Sequence, residues 1–138
     1  MILYLETSNL IKLYVEEEGT AEIKSLVKGA DIVATSIISY AEARAALSRK
    51  YKEGGIEKRD YKLIKREFES DWNKYFILHV NNDIIKATGD LAEKHGLRGF
   101  DALHLASALS LKEKSATSVT FSSADRKLAQ AAERESFT

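Results

Sequence analysis

The sequence predicts a three-layer α/β/α sandwich around a central parallel sheet, and three observations predict it. Short, almost wholly apolar runs of four or five residues alternate with longer stretches of helical periodicity. That is the pattern of strands buried on both faces and joined by helical crossovers. The chain of 138 residues is 44% apolar and 30% charged, enough to bury about two-thirds of its unfolded surface in one core. It contains no repeat and no Pro/Gly/Ser-rich linker, so residues 1–138 are expected to form a single domain.

The elements follow in order. Ile2 to Leu5 reads as a strand, and Leu10, Ile11, Leu13, Tyr14 and Val15 then recur as on a helix. A second helix is expected from about Thr20 to Lys28, closed by Gly29, and a second strand from Ile32 to Thr35. Helical periodicity runs from Ser36 to about Glu53, breaks at Gly54-Gly55 and resumes from about Glu57 to Tyr75. Two long helices about a Gly-Gly turn make a protruding helical hairpin. Phe76 to Val80 is the third strand, Asp83 to His95 and Phe100 to about Lys114 are helices, Thr117 to Phe121 is the fourth strand, and Asp125 to about Glu135 is the last helix. A short fifth strand after it would bring the sheet to four or five.

Composition narrows the chemistry. There is no cysteine, which removes zinc fingers, thiol nucleophiles and iron–sulfur ligation and fits a cytoplasmic protein. The apolar run of Met1 to Leu5 is interrupted by Glu6 and is too short for a signal peptide or a membrane span. The 21 basic and 21 acidic residues cancel, so a polyanionic partner would need a local patch. One exists in the hairpin, where nine basic and three acidic residues lie between Arg44 and Arg66. That arm either steers a polyanion or is an ordinary solvated helix surface.

Parallel strands joined by right-handed crossovers put all their C-terminal ends along one edge, where ligands bind in such folds. Four acids fall at that edge: Glu6 after the first strand, Glu42 early in the helix after the second, Asp101 at the start of the helix before the fourth, and Asp125 just after the fourth. Each alone has a capping explanation, since carboxylates are favoured near helix N-termini. Ser39-x-x-Glu42 and Ser122-x-x-Asp125 fit a capping box. Glu6 is not expected to cap, because Thr7 and Ser8 stand ready to do so. Crowded carboxylates raise one another's pKa unless a cation lies between them, and all-oxygen ligands select Mg²⁺ or Mn²⁺. Water on such an ion is the nucleophile of metal-dependent nucleases.

Four segments carry a family resemblance: Ile2 to Tyr14 with Glu-Thr-Ser, Ala34 to Ala46 with Tyr-Ala-Glu-Ala-Arg, Leu97 to Ala108 with Arg-Gly-Phe-Asp-Ala-Leu-His, and Val119 to Leu128 with Ser-Ser-Ala-Asp. In this order they resemble the PIN-domain proteins, and more narrowly the VapC-type toxins of toxin–antitoxin pairs. The resemblance implies that Glu6, Glu42, Asp101 and Asp125 hold Mg²⁺ or Mn²⁺ in an endoribonuclease, with Ser8 and Ser123 supporting the first and last acids. It also implies an RNA substrate, an antitoxin whose helix lies in a groove, and a homodimer. The family's first acid is ordinarily Asp, and Glu6 carries one more methylene. That departure opens an alternative: a catalytically impaired domain acting by binding RNA or a protein partner.

Arg98 and Arg44 are candidate substrate contacts, although Arg98 equally suits pairing with a neighbouring acid. His104, three residues after Asp101, reads as structural rather than as a ligand, while His79 and His95 read as packing and capping residues. Tyr61, Ile64, Phe68, Trp72 and Tyr75 form one face of a helix, expected to be core or partner contact rather than a base-stacking surface. A phospho-receiver domain would need paired acids soon after the first strand and a late lysine, which are not so placed. An aspartyl phosphatase would need an acid at position 8, where Ser8 stands.

Overall fold

Alternate side chains of a strand serve opposite faces, and the first strand shows why this chain needs helices on both. In a computed structural model describing residues 1–137, Ile2–Leu5 forms β1 with all four side chains buried. Ile2 and Tyr4 enter one core, Leu3 and Leu5 the other. Three further strands, β2 (Ile32–Ser36), β3 (Phe76–Leu78) and β4 (Val119–Ser122), complete a parallel sheet in the order β3-β2-β1-β4. Tyr4 is in register with Ala34 on one side and Phe121 on the other.

One layer consists of α1 (Thr7–Leu10), α2 (Thr20–Gly29), α3 (Ile38–Lys52) and α4 (Lys58–Trp72), whose Leu10, Ile23, Ala43 and Phe68 pack on Leu3 and Leu5. The opposite layer is α5 (Asn82–His95), α6 (Gly99–Lys114) and α7 (Arg126–Arg134), with Ile84, Leu91, Leu105 and Leu128 around Tyr4. α6 is buried without interruption from Ala102 to Ala108, as a helix that is mostly apolar all round must be. The expected sandwich is therefore present. No helix is long and apolar enough to cross a membrane among the described residues.

After β1 the chain adds β2 and β3 on one side, then returns to the other side of β1 for β4. The reversal lies between β1 and β4, and open α/β sheets bind ligands at the strand C-termini beside such a reversal. Glu6 follows β1 there, and Ser123 and Asp125 follow β4.

Several boundaries differ from the sequence reading. The first helix is a single turn, Thr7–Leu10, tightening to a 3₁₀ turn over Ile11–Leu13. The third strand stops at Leu78 rather than Val80, because Asn81 must leave the sheet to cap α5; its Oδ1 accepts from the Ile84 amide at 2.9 Å. No fifth strand occurs among the described residues: the chain leaves α7 through Ser136 at φ 71° and buries Phe137 against Phe121.

The hairpin forms as expected. Its turn places Gly54 at φ 82°, and a side chain at Gly55 would meet the Lys50 carbonyl at 3.3 Å. The aromatic face of α4 is core: Phe68 is fully buried against Tyr14, Tyr40 and Trp72. The tip is anchored by a 2.8 Å ion pair between Lys50 and Glu17. His95 packs and bonds Glu135 at 2.7 Å. His79, expected to pack, is exposed because it lies just past the shortened β3.

Candidate active site

Glu6 ends β1 and, contrary to the expectation above, is itself the N-cap of α1. Its Oε2 accepts from the Ser8 amide at 3.0 Å, and its Oε1 accepts from the hydroxyls of Ser8 and Ser123, both at 2.5 Å. The carboxylate curls back onto its own helix, so Thr7 and Ser8 are not needed to cap it. The two serines are bridges. Ser8 Oγ also accepts from the Ala124 amide at 2.9 Å, and Ser123 Oγ from the Asp125 amide at 3.0 Å, so each hydroxyl passes a hydrogen bond between the loop after β4 and Glu6.

Asp125 is the N-cap of α7, with Oδ1 on the Leu128 amide at 2.9 Å. This satisfies one of the unpaired donors of the first turn and leaves the second oxygen without a partner among the described residues. The Ser39-x-x-Glu42 spacing does not form a capping box. α3 has no side-chain cap, and Ser39 is buried inside it, bonded to Thr35 at 2.7 Å.

Glu42 is turned inward by a chain of donors. The Tyr4 hydroxyl lies 2.7 Å from His104 Nδ1, and His104 Nε2 lies 2.8 Å from Glu42 Oε1. Burial first, then the charges of Glu6 and Glu42, push the Tyr4 phenol well above its ordinary range. It therefore stays protonated and donates to Nδ1, leaving the imidazole proton on Nε2 to donate to Glu42. Thr7 Oγ1 donates to the same Oε1 at 2.6 Å. Burial raises the Glu42 pKa, but the bonds from His104 and Thr7 outweigh it and hold the carboxyl below its ordinary value. Oε2 accepts none of these bonds.

Asp101, in the first turn of α6, is the opposite case. It has no side-chain hydrogen bond or ion pair among the described residues, and burial, then the charges of Asp125 and Glu6, raise its pKa. Glu42, Asp101 and Asp125 line one cleft of about 610 Å³ together with Arg98, Phe100 and Ile85. Glu6 is buried and faces Asp101 electrostatically without lining the cleft. Among the described residues no three His, Asp or Glu side chains stand close enough together to hold a metal ion as they are.

Arg98 precedes α6, lies exposed at the cleft and makes no ion pair among the described residues. Arg44 does not reach the cleft. Its guanidinium bonds Tyr40 at 2.7 Å and Glu69 at 3.0 Å, joining the two arms of the hairpin away from the cleft lining. The sequence reading missed the roles of Thr7, Tyr4 and His104. The available signal was His104 one helical turn from Asp101 in a segment otherwise apolar, because a buried imidazole needs partners for both nitrogens.

The chain is similar to known proteins. Residues 3–134 match the PIN domain family. Ribonuclease VapC45 and Ribonuclease VapC49 of Mycobacterium tuberculosis are each 31% identical over 110 residues, which cover 80% of this chain and 76% of theirs. The crystal structure of PAE2754 from Pyrobaculum aerophilum superposes with a TM-score of 0.65 at 19% identity, covering 95% of this chain and 79% of that one. That of VapBC2 from Rickettsia felis, bound to a DNA fragment from their promoter, also gives 0.65, at 17% identity and covering 95% and 93%. The family match and the shared sequence define one class of protein: the chain belongs to the PIN-domain family, among its VapC-type members.

Proposed function

We propose that this protein is the ribonuclease toxin of a VapBC-type toxin–antitoxin pair, hydrolysing RNA phosphodiester bonds with Mg²⁺ or Mn²⁺. The observation that carries the reading is Asp101: a half-buried carboxylate on the cleft beside Asp125, raised by burial and by the charges of Asp125 and Glu6, an effect that the nearby charges of His104 and Arg98 offset only in part. Such a group is relieved by a divalent ion. Mg²⁺ takes only one or two carboxylates and keeps several waters, so it does not need a preformed cage of three. Asp101 and Asp125 would hold it directly, with the free Oε2 of Glu42 and the buried Glu6 adding charge around its waters. When bound, the ion activates water and neutralises charge on a phosphoryl oxygen.

The chain's own residues supply the rest. His104 and Thr7 orient Glu42 toward the cleft, Ser8 and Ser123 fix Glu6, and the Arg98 guanidinium draws a phosphate to the cleft mouth. The partner is an antitoxin protein whose helix occupies a groove of the toxin, and the working form is a cytoplasmic homodimer. Mixed cellular RNA incubated with the purified chain should be cleaved with Mn²⁺ or Mg²⁺, stay intact in EDTA, and stay intact with Asp101→Asn. Cleavage that persists in EDTA or in the variant would overturn the reading.

One observation favours a second reading, in which the domain binds RNA or a protein without cutting. Both oxygens of Glu6 are engaged by serine donors, which draws the carboxylate away from the cleft. Cleavage by Glu6→Asp but not by the parent chain would select it.

A further inference from the structure

We infer that Phe100 is a base-stacking platform that seats one nucleotide beside the bond to be cut; the inference rests on the reading just given. Phe100 is 65% exposed, more than any other large exposed hydrophobic side chain among the described residues. The fold does not use it: α6 is held by the buried run from Ala102 to Ala108, and Phe100 points instead into the cleft lined by Asp101 and Asp125. Ile85 of α5, 51% exposed, lines the same cleft, so an apolar floor lies beside the carboxylates.

The surroundings say what covers that floor. The buried centre of a protein–protein contact is depleted of acidic side chains, whereas here the ring shares its cleft with Asp101 and Asp125, and with Arg98. A guanidinium without an ion-pair partner binds a phosphate, an aromatic face takes a base, and carboxylates take a cation. These are the three groups a nucleotide with its counter-ion presents. Bases inside a duplex already stack on each other, so an aromatic side chain reads single-stranded or bulged RNA. The 16-residue helix also sets the ring one residue from Asp101, which fixes the stacked base next to the reacting phosphate.

The test uses short single-stranded RNA carrying 2-aminopurine in place of adenine, in Ca²⁺ so that binding is read without cleavage. Stacking on Phe100 should quench the fluorescence. Phe100→Ala should abolish the quench and weaken binding about tenfold, Phe100→Trp should keep both, and a duplex of the same sequence should compete poorly. Equal binding and quenching by Phe100→Ala overturns the inference. So does a change in oligomeric state on light scattering without loss of RNA affinity, which would give the face to a second copy. If RNA binds through Phe100 but is never cut, the ribonuclease reading fails and the stacking role stands. If RNA is cut equally well without the ring, the reverse holds.

Discussion

His104 Nε2 sits 2.8 Å from Glu42 Oε1, joining α6 to α3 across the end of β1. The imidazole thereby controls which oxygen of Glu42 is left for the cleft. His104→Ala is expected to cost about 2–4 kcal/mol, through lost packing and a buried Tyr4 hydroxyl left without its acceptor. His104→Gln, whose amide can still donate to Glu42, should recover most nuclease activity at a fraction of that cost. Urea denaturation with kcat and KM for both variants checks this. Equal activity in the two would deny the histidine any positioning role.

Asp101 makes the metal-free protein less stable than it need be. Its folded pKa lies above the ordinary 3.8, so the folded state binds its proton more readily and carries a penalty once the group ionises. Asp101→Asn should raise Tm by about 2–4 °C in EDTA at neutral pH. The gain should shrink as pH falls through the raised pKa. Saturating Mn²⁺ should stabilise the parent and not the variant, which differential scanning fluorimetry with and without the ion would show.

Glu42 titrates with the opposite sign. Its pKa is held below the ordinary 4.5 by His104 and Thr7, so its stabilising contribution is complete above that value and is lost as pH falls through the lower folded one. Acid denaturation of the parent and of Glu42→Gln should therefore differ most near neutrality and converge in acid. A constant difference at every pH would mean that the two hydrogen bonds do not favour the charged form.

Glu6→Asp shortens the arm that reaches Ser123. An aspartate at this position still caps α1 through the Ser8 amide, but cannot also span to the loop after β4. The variant is expected to lose about 1 kcal/mol of stability and to raise Mn²⁺-dependent cleavage severalfold, as its carboxylate turns toward Asp101. Kinetics with the Mn²⁺ concentration varied would reveal unchanged activity if the serine bonds do not restrain Glu6.

The sheet, both helical layers and the Gly-Gly hairpin were legible because their causes are local: apolar runs, helical spacing and a turn needing positive φ. The strand-edge position of all four acids was legible for the same reason. What could not be read was direction. Which oxygen of Glu42 is left for the cleft depends on partners 35 and 62 residues away, and the second anchor of Glu6, Ser123, lies 117 residues downstream. Arg44 fits a phosphate contact by type, yet Glu69 across the hairpin claims it.

The hydroxyl bridges from Ser8 and Ser123 have a consequence in time. They fasten the loop after the last strand to synthesised, β4, onto the end of the first, so the cleft has no finished wall until residue 125 has docked beside residue 6. A growing chain thus carries Glu6, Glu42 and Asp101 before it carries Asp125, and the acidic edge is closed last.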